Sequence, residues 1–271
     1  MSPATFTGTS GVLSPNNQGP AQHTIALSNV HKSFNGTPVL SGLSAGFTDD
    51  AITTVLGPSG TGKSVLLKHI VGLLEPDEGV VSVFGKDIWG LDKAERYELR
   101  KRFGVLFQDG ALFGSMNLYD NVAFPLRKHT EKPESEIREI VMNLLREVGL
   151  EQATEKAPNE ISGGMRKRAG FARALVLQPD VVMFDEPDSG LDPVRTKLLC
   201  RLIRKVHEQH GGTYVVITHD IASANYLSDY IGMLWKGKMV HYGPAAAAFS
   251  SEDPFVRQFI AGEPDGPLGM E

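Results

Sequence analysis

Residues 57–64 read GPSGTGKS, preceded by the β-branched run AITTV at 51–55 and followed by KSVLLKHIVGLL at 63–74. The spacing fits G-x-x-x-x-G-K-[ST], and it sits where that pattern has physical meaning, between a strand and the start of a helix. Glycines there let backbone N–H groups converge on phosphate oxygens. A lysine reaches the β- and γ-phosphates, and a hydroxyl follows it for Mg²⁺. The candidate nucleotide-binding residues are therefore Gly57, Pro58, Ser59, Gly60, Thr61, Gly62, Lys63, Ser64 and Val65. A chance glycine turn rarely has strand, loop, Lys-Ser and helix in register.

Working outward, DVVMFDEP at 180–187 and TYVVITHD at 213–220 are near-continuous apolar runs, the pattern of parallel strands covered on both faces. DPVRTKLLCRLIRKVHEQH between them reads as the crossover helix of a βαβ unit. In a doubly wound sheet the C-terminal strand ends face the ligand. Asp185 is thus a metal-ligand candidate, and Glu186 is placed to polarise an attacking water. Gln108, after FGVLF at 103–107, is a candidate for the metal and the water. His219 is a candidate contact for a γ-phosphate, and Phe34, before the turn NGTP, for stacking on an adenine ring. Each of these three is weak alone, since a lone histidine is usually structural and a lone phenylalanine usually core.

ISGGM at 161–165 opens an amphipathic helix, with Ser162 as its N-cap. Two glycines at a helix N-terminus make a second anion site. The segment DGALFGSMNLYDNVAFPL at 109–126 reads as irregular. Its Leu112, Phe113, Met116, Leu118, Tyr119 and Phe124 form either a small core or part of a groove for a partner helix. ESEIREIVMNLLREVGL at 134–150 is a helix with Ile137, Ile140, Val141, Leu144, Leu145 and Val148 on one face. YIGMLWKGKMVHYG at 230–243 reads as a hairpin turning at Lys236-Gly237. The fold class is α/β: a P-loop, RecA-like core with an antiparallel β lobe and a helical lobe. The expected organisation is a disordered tail over 1–21, a domain over 22–250 with the helical lobe at about 109–178, and an extension over 251–271. In that extension PFVRQFI is read as a short amphipathic helix packing on a partner subunit or as a frayed end, with its apolar Phe255, Val256, Phe259 and Ile260 favouring packing.

Composition narrows the function classes. The 271 residues carry 27 basic and 32 acidic side chains, a net charge of −5, which speaks against general nucleic-acid binding. The run Arg166, Lys167, Arg168 is accordingly read as a solvated or interfacial helix face. The single cysteine, Cys200, fits a reducing compartment and a small buried apolar role. Neither a secretory signal nor an apolar run of about 18 residues is present.

The order Phe34, GPSGTGKS, Gln108, ISGGM, VVMFDEP, SGLD and THD resembles the nucleotide-binding subunit of an ABC transporter, over about residues 22–250. The resemblance implies ATP and Mg²⁺ as ligands, with Ser64, Gln108 and Asp185 on the metal and Glu186, His219, Gln108 and Lys63 in catalysis. It implies a head-to-tail homodimer in which Ser162, Gly163 and Gly164 cap the γ-phosphate held by the other copy. Asp192 of SGLD would lie at the same seam. Ile161 and Met165 depart from the usual Leu and Gln of that signature.

A narrower set, LFQDGALFGSMNLYDNVAFPLRKHT, EISGGMRKRAGFARAL, DEPDSGLDPVRT and DPFVRQFIAGEPDGPLGM, is similar to the ATPases of Mce and Mla lipid-transport systems. That similarity implies a permease of YrbE/MlaE type, Mce lipid carriers as indirect partners, a lipid cargo, and a peripheral place on the cytoplasmic face of the inner (plasma) membrane. The alternatives are transport of another substrate, a soluble ABC ATPase of repair or translation, and a regulatory module without turnover. The long coiled coil of the repair types and the tandem cassettes of the translation types are both missing, and no N-K-x-D motif supports a GTPase.

Overall fold

The computed structural model describes residues 23–269. The tail expected over 1–21 lies outside them. The chain opens with β1 (His23–Phe34) and β2 (Thr37–Thr48), joined by a two-residue turn in which Asn35 and Gly36 both have positive φ. That is the backbone a tight hairpin demands, and Asn-Gly supplies it cheaply. β4 (Glu78–Val83) and β5 (Lys86–Asp87) complete an antiparallel four-stranded sheet in the order β2-β1-β4-β5.

A second sheet has six strands. It contains β3 (Ile52–Leu56), β6 (Phe103–Leu106), β7 (Val181–Asp185), β8 (Thr213–Ile217), β9 (Tyr230–Trp235) and β10 (Lys238–Pro244). The order is β10-β9-β3-β8-β7-β6, parallel throughout except for the β9–β10 hairpin at one edge. That hairpin turns at Lys236 and Gly237, both at positive φ, as the sequence leads one to expect.

The parallel strands alternate between two cores. Val182, Phe184, Tyr214 and Val216 pack on one face, and Val181, Met183, Val215 and Ile217 on the other. A side-chain period of two therefore yields a continuous apolar run, because both faces are dry. The second face is covered by α1 (Lys63–Ile70) and the four-stranded sheet, with Ile25, Leu43, Phe47, Leu66 and Ile70 fully buried. α2 (Lys93–Arg100) follows, closed by an Asp92–Glu95 capping box.

On the first face lie α3 (Leu118–His129), α4 (Glu134–Glu147), α5 (Gly163–Leu175) and α6 (Pro193–His210). α3, α4 and α5 fall between β6 and β7 and pack on one another. Cys200 of α6 is free and buried in this core. α7 (Ile221–Leu227), α8 (Ala245–Phe249) and α9 (Pro254–Ala261) close a third, smaller cluster around Leu56, Ile231 and Met233.

Two expectations change. Half of the segment read as irregular is helix: α3 starts at Leu118, capped by the Asn117 side chain on Asp120 N. Pro125 inside it hides the helical pattern, since it deletes the N–H that would bond the carbonyl of Asn121. PFVRQFI is a short helix, α9, that packs on its own chain. Val256 is buried, the Phe255 ring meets Trp235 edge-on, and Phe259 and Ile260 lie on the third cluster. Gln258 binds the chain that folds back, donating to Glu263 O and accepting from Leu268 N at 2.8 Å.

Asn121 organises the loop that follows Gln108. Its fully buried amide donates to the carbonyls of Phe113, Met116 and Asn117 and accepts from Phe113 N at 2.7 Å. Truncation strands those buried groups. Asn121→Ala is expected to lower unfolding stability by about 2–4 kcal/mol, read from the urea midpoint at unchanged slope.

Candidate functional site

The site is assembled at the C-terminal ends of β3, β7 and β8. β3 runs into a loop that ends at Gly62, φ 100°, the N-cap of α1. That position has no capping side chain, so the first N–H groups of α1 are left to the loop and to any ligand. Gly57 is fixed by crowding, because a Cβ there would lie 2.4 Å from Leu234 O. The loop borders a cavity of about 230 Å³ lined by Val39, Ser59, Gly60, Gly62, Lys63, Ser64, Val65 and Glu186.

Lys63 is folded back into its own loop. Its Nζ donates to Gly57 O at 2.8 Å and to Pro58 O at 2.9 Å. Burial pushes its pKa down, opposed by the nearby carboxylates of Glu186 and Asp185. Thr61 Oγ1 donates to Pro58 O and closes the loop. Ser64 Oγ donates to Asp185 Oδ1 at 3.1 Å, which joins the end of β7 to the first turn of α1. Burial also raises the Asp185 pKa, with Ser64 working against it and Glu186 reinforcing it. An ammonium and a carboxylate held partly desolvated, and not paired with each other, suit a ligand carrying both anionic oxygen and a hard cation.

Glu186 is the next residue, with φ 47°, left-handed backbone that a non-glycine residue rarely takes. Its N–H donates to Ile217 O at 2.8 Å. His219 Nδ1, on the loop after β8, lies 3.5 Å from Glu186 Oε1. The structure thus brings Lys63, Ser64, Asp185, Glu186 and His219 together. Gln108 is differently engaged: Nε2 donates to Ser189 Oγ at 3.0 Å and makes no bond to the Ser64–Asp185 pair. Phe34 lies at the end of β1, 42% exposed, outside the cavity lining.

Ser162, Gly163, Gly164 and Asp192 are elsewhere. Ser162 caps α5, accepting from Met165 N at 3.3 Å. It shares with Gly164 a separate cavity of about 400 Å³, lined also by Leu191, Arg195 and Leu198. Asp192 caps α6, accepting from Val194 N and Arg195 N. A Cβ on Gly163 or Gly164 would meet nothing closer than 3.6 Å, and neither has positive φ. The fold of this chain therefore does not require glycine at either position.

Sequence reasoning missed several residues. Val39 lines the phosphate loop from near the start of β2, where nothing marks it. Asp188 is buried and accepts from Thr218 Oγ1 at 2.6 Å, tying the loop after β7 to the loop after β8. Lys167, expected on a solvated or interfacial face, is 5% exposed and donates to Pro187 O at 2.7 Å and Ser189 O at 2.5 Å within its own chain. Arg168 likewise turns inward, to Val148 O. A signal for Lys167 existed: it stands four and eight residues before Phe171 and Leu175, on the buried stripe.

The sequence profile of the ABC transporter family matches residues 40–189. The probable ribonucleotide transport ATP-binding protein mkl of Mycobacterium leprae (strain TN) is 51% identical over 91% of this chain and 71% of its own. The intermembrane phospholipid transport system ATP-binding protein MlaF of Escherichia coli (strain K12) is 44% identical over 80% of this chain and 81% of its own. Among solved structures, cbiO1 from Clostridium perfringens, part of the ABC transporter complex cbiONQ, superposes with a TM-score of 0.78 at 28% identity, over 87% of this chain and 94% of that one. A dimeric ATP-binding cassette in a post-hydrolysis state bound to ADP and Pi gives 0.75 at 29% identity, over 82% of this chain and 98% of that one. With a phosphate loop, a hydroxyl–carboxylate pair and a glutamate–histidine pair at the ends of one parallel sheet, this chain belongs to the ABC transporter family, as one of its ATPases.

Proposed function

We propose that the chain is the ATP-hydrolysing subunit of a lipid transporter, working as a head-to-tail homodimer beneath a YrbE/MlaE-type permease with Mce lipid carriers. The observation that carries the ATPase chemistry is the shared cavity of Lys63, Ser64 and Glu186, with Asp185 bonded to Ser64 and His219 beside Glu186. Lys63 would exchange its two loop carbonyls for β- and γ-phosphate oxygens. The loop from Gly57 to Val65 would cradle the phosphates through its backbone N–H groups, with Phe34 stacking on the adenine.

Ser64 and Asp185 supply hard oxygen ligands suited to Mg²⁺, which typically takes one or two carboxylates plus substrate phosphates. Gln108 would join them by leaving Ser189. Mg²⁺, when bound, neutralises phosphate charge as it develops. Glu186 would orient the attacking water and take its proton, and His219 would hold the Glu186 carboxylate and contact the γ-phosphate.

Gly163 and Gly164 support the dimer. Their own chain leaves the space over them open, as a ligand approaching from a second copy would need. Ser162 and the first N–H groups of α5 would then cap a phosphate held by the other copy, with Asp192 at the same seam. Phe113, 42% exposed, and Phe124, half-buried, lie with ring centroids 5.0 Å apart and planes tilted by 59°, on the segment that follows Gln108, and would offer an apolar anchor to a permease helix. Leu118, by contrast, is core. No helix among the described residues is long and apolar enough to cross a membrane, so contact with the membrane would run through that permease. Lipid cargo rests on the likeness to the MlaF proteins, whereas the name of the mkl relatives favours a ribonucleotide.

Glu186→Gln is expected to bind Mg-ATP and accumulate a dimer on size exclusion with light scattering, while phosphate release falls at least about 10²-fold. Normal turnover would remove Glu186 from the mechanism.

Asp185 gives a pH-dependent readout. Its pKa is raised above the ordinary 3.8 in the nucleotide-free fold, so its proton stabilises that fold. The benefit is complete below the unfolded value and lost as pH rises through the folded one. At pH 7 the ionised group is a cost. Asp185→Asn should melt higher than the natural chain without nucleotide, by a margin that shrinks towards pH 4, and gain less from Mg-ATP in differential scanning fluorimetry.

Partner and cargo are tested by gentle extraction of the tagged membrane complex and mass spectrometry. A YrbE-like permease with Mce proteins and phospholipid is expected, and Phe113→Ala should lose the permease while remaining folded. A different permease, or bound nucleotide as cargo, would discard the lipid reading and keep the ATPase.

A further inference from the structure

A buried charge with no counter-ion in contact is costly, and the fold keeps one at Lys167. The side chain is 5% exposed, and none of its contacts among the described residues is an ion pair. An ammonium has three N–H bonds to give. Lys167 gives them to one short segment: Pro187 O at 2.7 Å, Ser189 O at 2.5 Å and, at the longer distance of 3.4 Å, Glu186 O. Asp188, Asp109 and Glu186 are near enough to favour the charged form, which burial opposes.

That segment carries backbone strain. Glu186 sits at φ 47°, a conformation that persists only where the surroundings over-determine it. Two sets of contacts do so. From the β8 side, Ile217 O accepts from Glu186 N, and Thr218 Oγ1 donates to Asp188 Oδ2. From the other side, among the described residues, only the Lys167 ammonium grips the backbone with a side chain. Lys167 belongs to α5, whose first residue, Gly163, is four residues earlier, about 6 Å along the helix axis. One rigid turn of helix therefore separates the Ser162–Gly164 terminus from the carbonyls that frame Glu186.

We propose that Lys167 is a positioning residue for ATP hydrolysis: it holds the 186–189 backbone so that the Glu186 carboxylate stays against His219, and through α5 it couples that carboxylate to occupancy of the Ser162–Gly164 terminus. The coupling rests on the dimeric reading above, in which the ligand at that terminus is the phosphate of the nucleotide bound by a second copy. The ATP held by the neighbour then adjusts the water-activating group of this chain through a single buried ammonium. A displacement of about 1 Å at such a group is enough to cost roughly 10² in rate.

Lys167→Met keeps most of the unbranched side chain and removes its donors. Lys167→Arg keeps charge and donors. Both are compared with the natural full-length chain. In nucleotide-free protein, hydrogen exchange over the peptide spanning 186–190 should speed up at least tenfold in Lys167→Met and remain close to the natural rate in Lys167→Arg, with the peptide over 63–70 unchanged in both. In steady-state ATPase assays Lys167→Met should lose at least tenfold in kcat while its affinity for ATP stays within threefold, and its Hill coefficient for ATP should fall towards one. Lys167→Arg should recover at least half of the logarithmic loss.

Unchanged exchange at 186–190 overturns the proposal. So does a kcat within twofold of the natural chain, or a loss of kcat matched by an equal loss of affinity. If Lys167→Met does not fold, Lys167→Leu, which also lacks donors, carries the same comparison. A natural chain without ATPase activity would defeat the functional reading itself, and the exchange measurement would still decide whether Lys167 holds the loop.

Discussion

The site depends on the register of four parallel strands. Val55 of β3 pairs with Ile217 of β8, Ile217 with Asp185 of β7, and Phe184 beside it with Leu106 of β6. These residues form a row across the sheet, so each chain leaves its strand at the same edge. The phosphate loop, the Glu186 loop, the His219 loop and the Gln108 loop are therefore neighbours without any of them having to travel. Hydrogen bonds in the ladder fix the row, and dry packing on both faces fixes the ladder. A one-residue slip would exchange the two cores, placing Val182 and Phe184 where Val181 and Met183 belong. Catalytic alignment is thus protected by the same energy that protects the fold.

Around that row, the loops are tied to one another more than to their own strands. Ser64 reaches Asp185, Asp188 reaches Thr218, and Gln108 reaches Ser189. α5 lies beneath the group. Arg173 donates to Gly110 O, in the loop that leads to Phe113, and its guanidinium lies 5.5 Å from the Phe113 ring. One helix consequently touches both the segment after Gln108 and the segment after Glu186. On the reading proposed above, in which Phe113 anchors a permease helix, α5 is the element that joins the ATP site to that surface.

Much of this was legible. GPSGTGKS announced its loop because every residue in it meets a local requirement. β7 and β8 announced themselves because burial on two faces leaves no room for polar residues, and the Lys236–Gly237 turn because its backbone needs positive φ. Less was legible where tertiary context overrides local pattern. α3 carries a proline in its interior and an asparagine, Asn121, on its buried side, so neither composition nor periodicity favoured it. Lys167 is a charge in an apolar stripe, and its reason lies some twenty residues further along the chain. Val39 is ordinary in sequence and significant only because its strand passes over the phosphate loop. The last helix reads as apolar, but which surface receives it is decided by Trp235 and the Leu56 cluster.

The glycines of the chain fall into two populations. Gly57 and Gly62 are held by crowding or by backbone geometry, and any side chain there must displace something built. Gly163 and Gly164 are held by nothing in their own protomer. A mutational scan scored on cellular abundance would record the first pair and pass over the second. On the dimeric reading proposed above, the same library scored on transport would record both. The difference between the two maps would trace, residue by residue, the surface that has meaning only in company, and it could be drawn before any complex is seen.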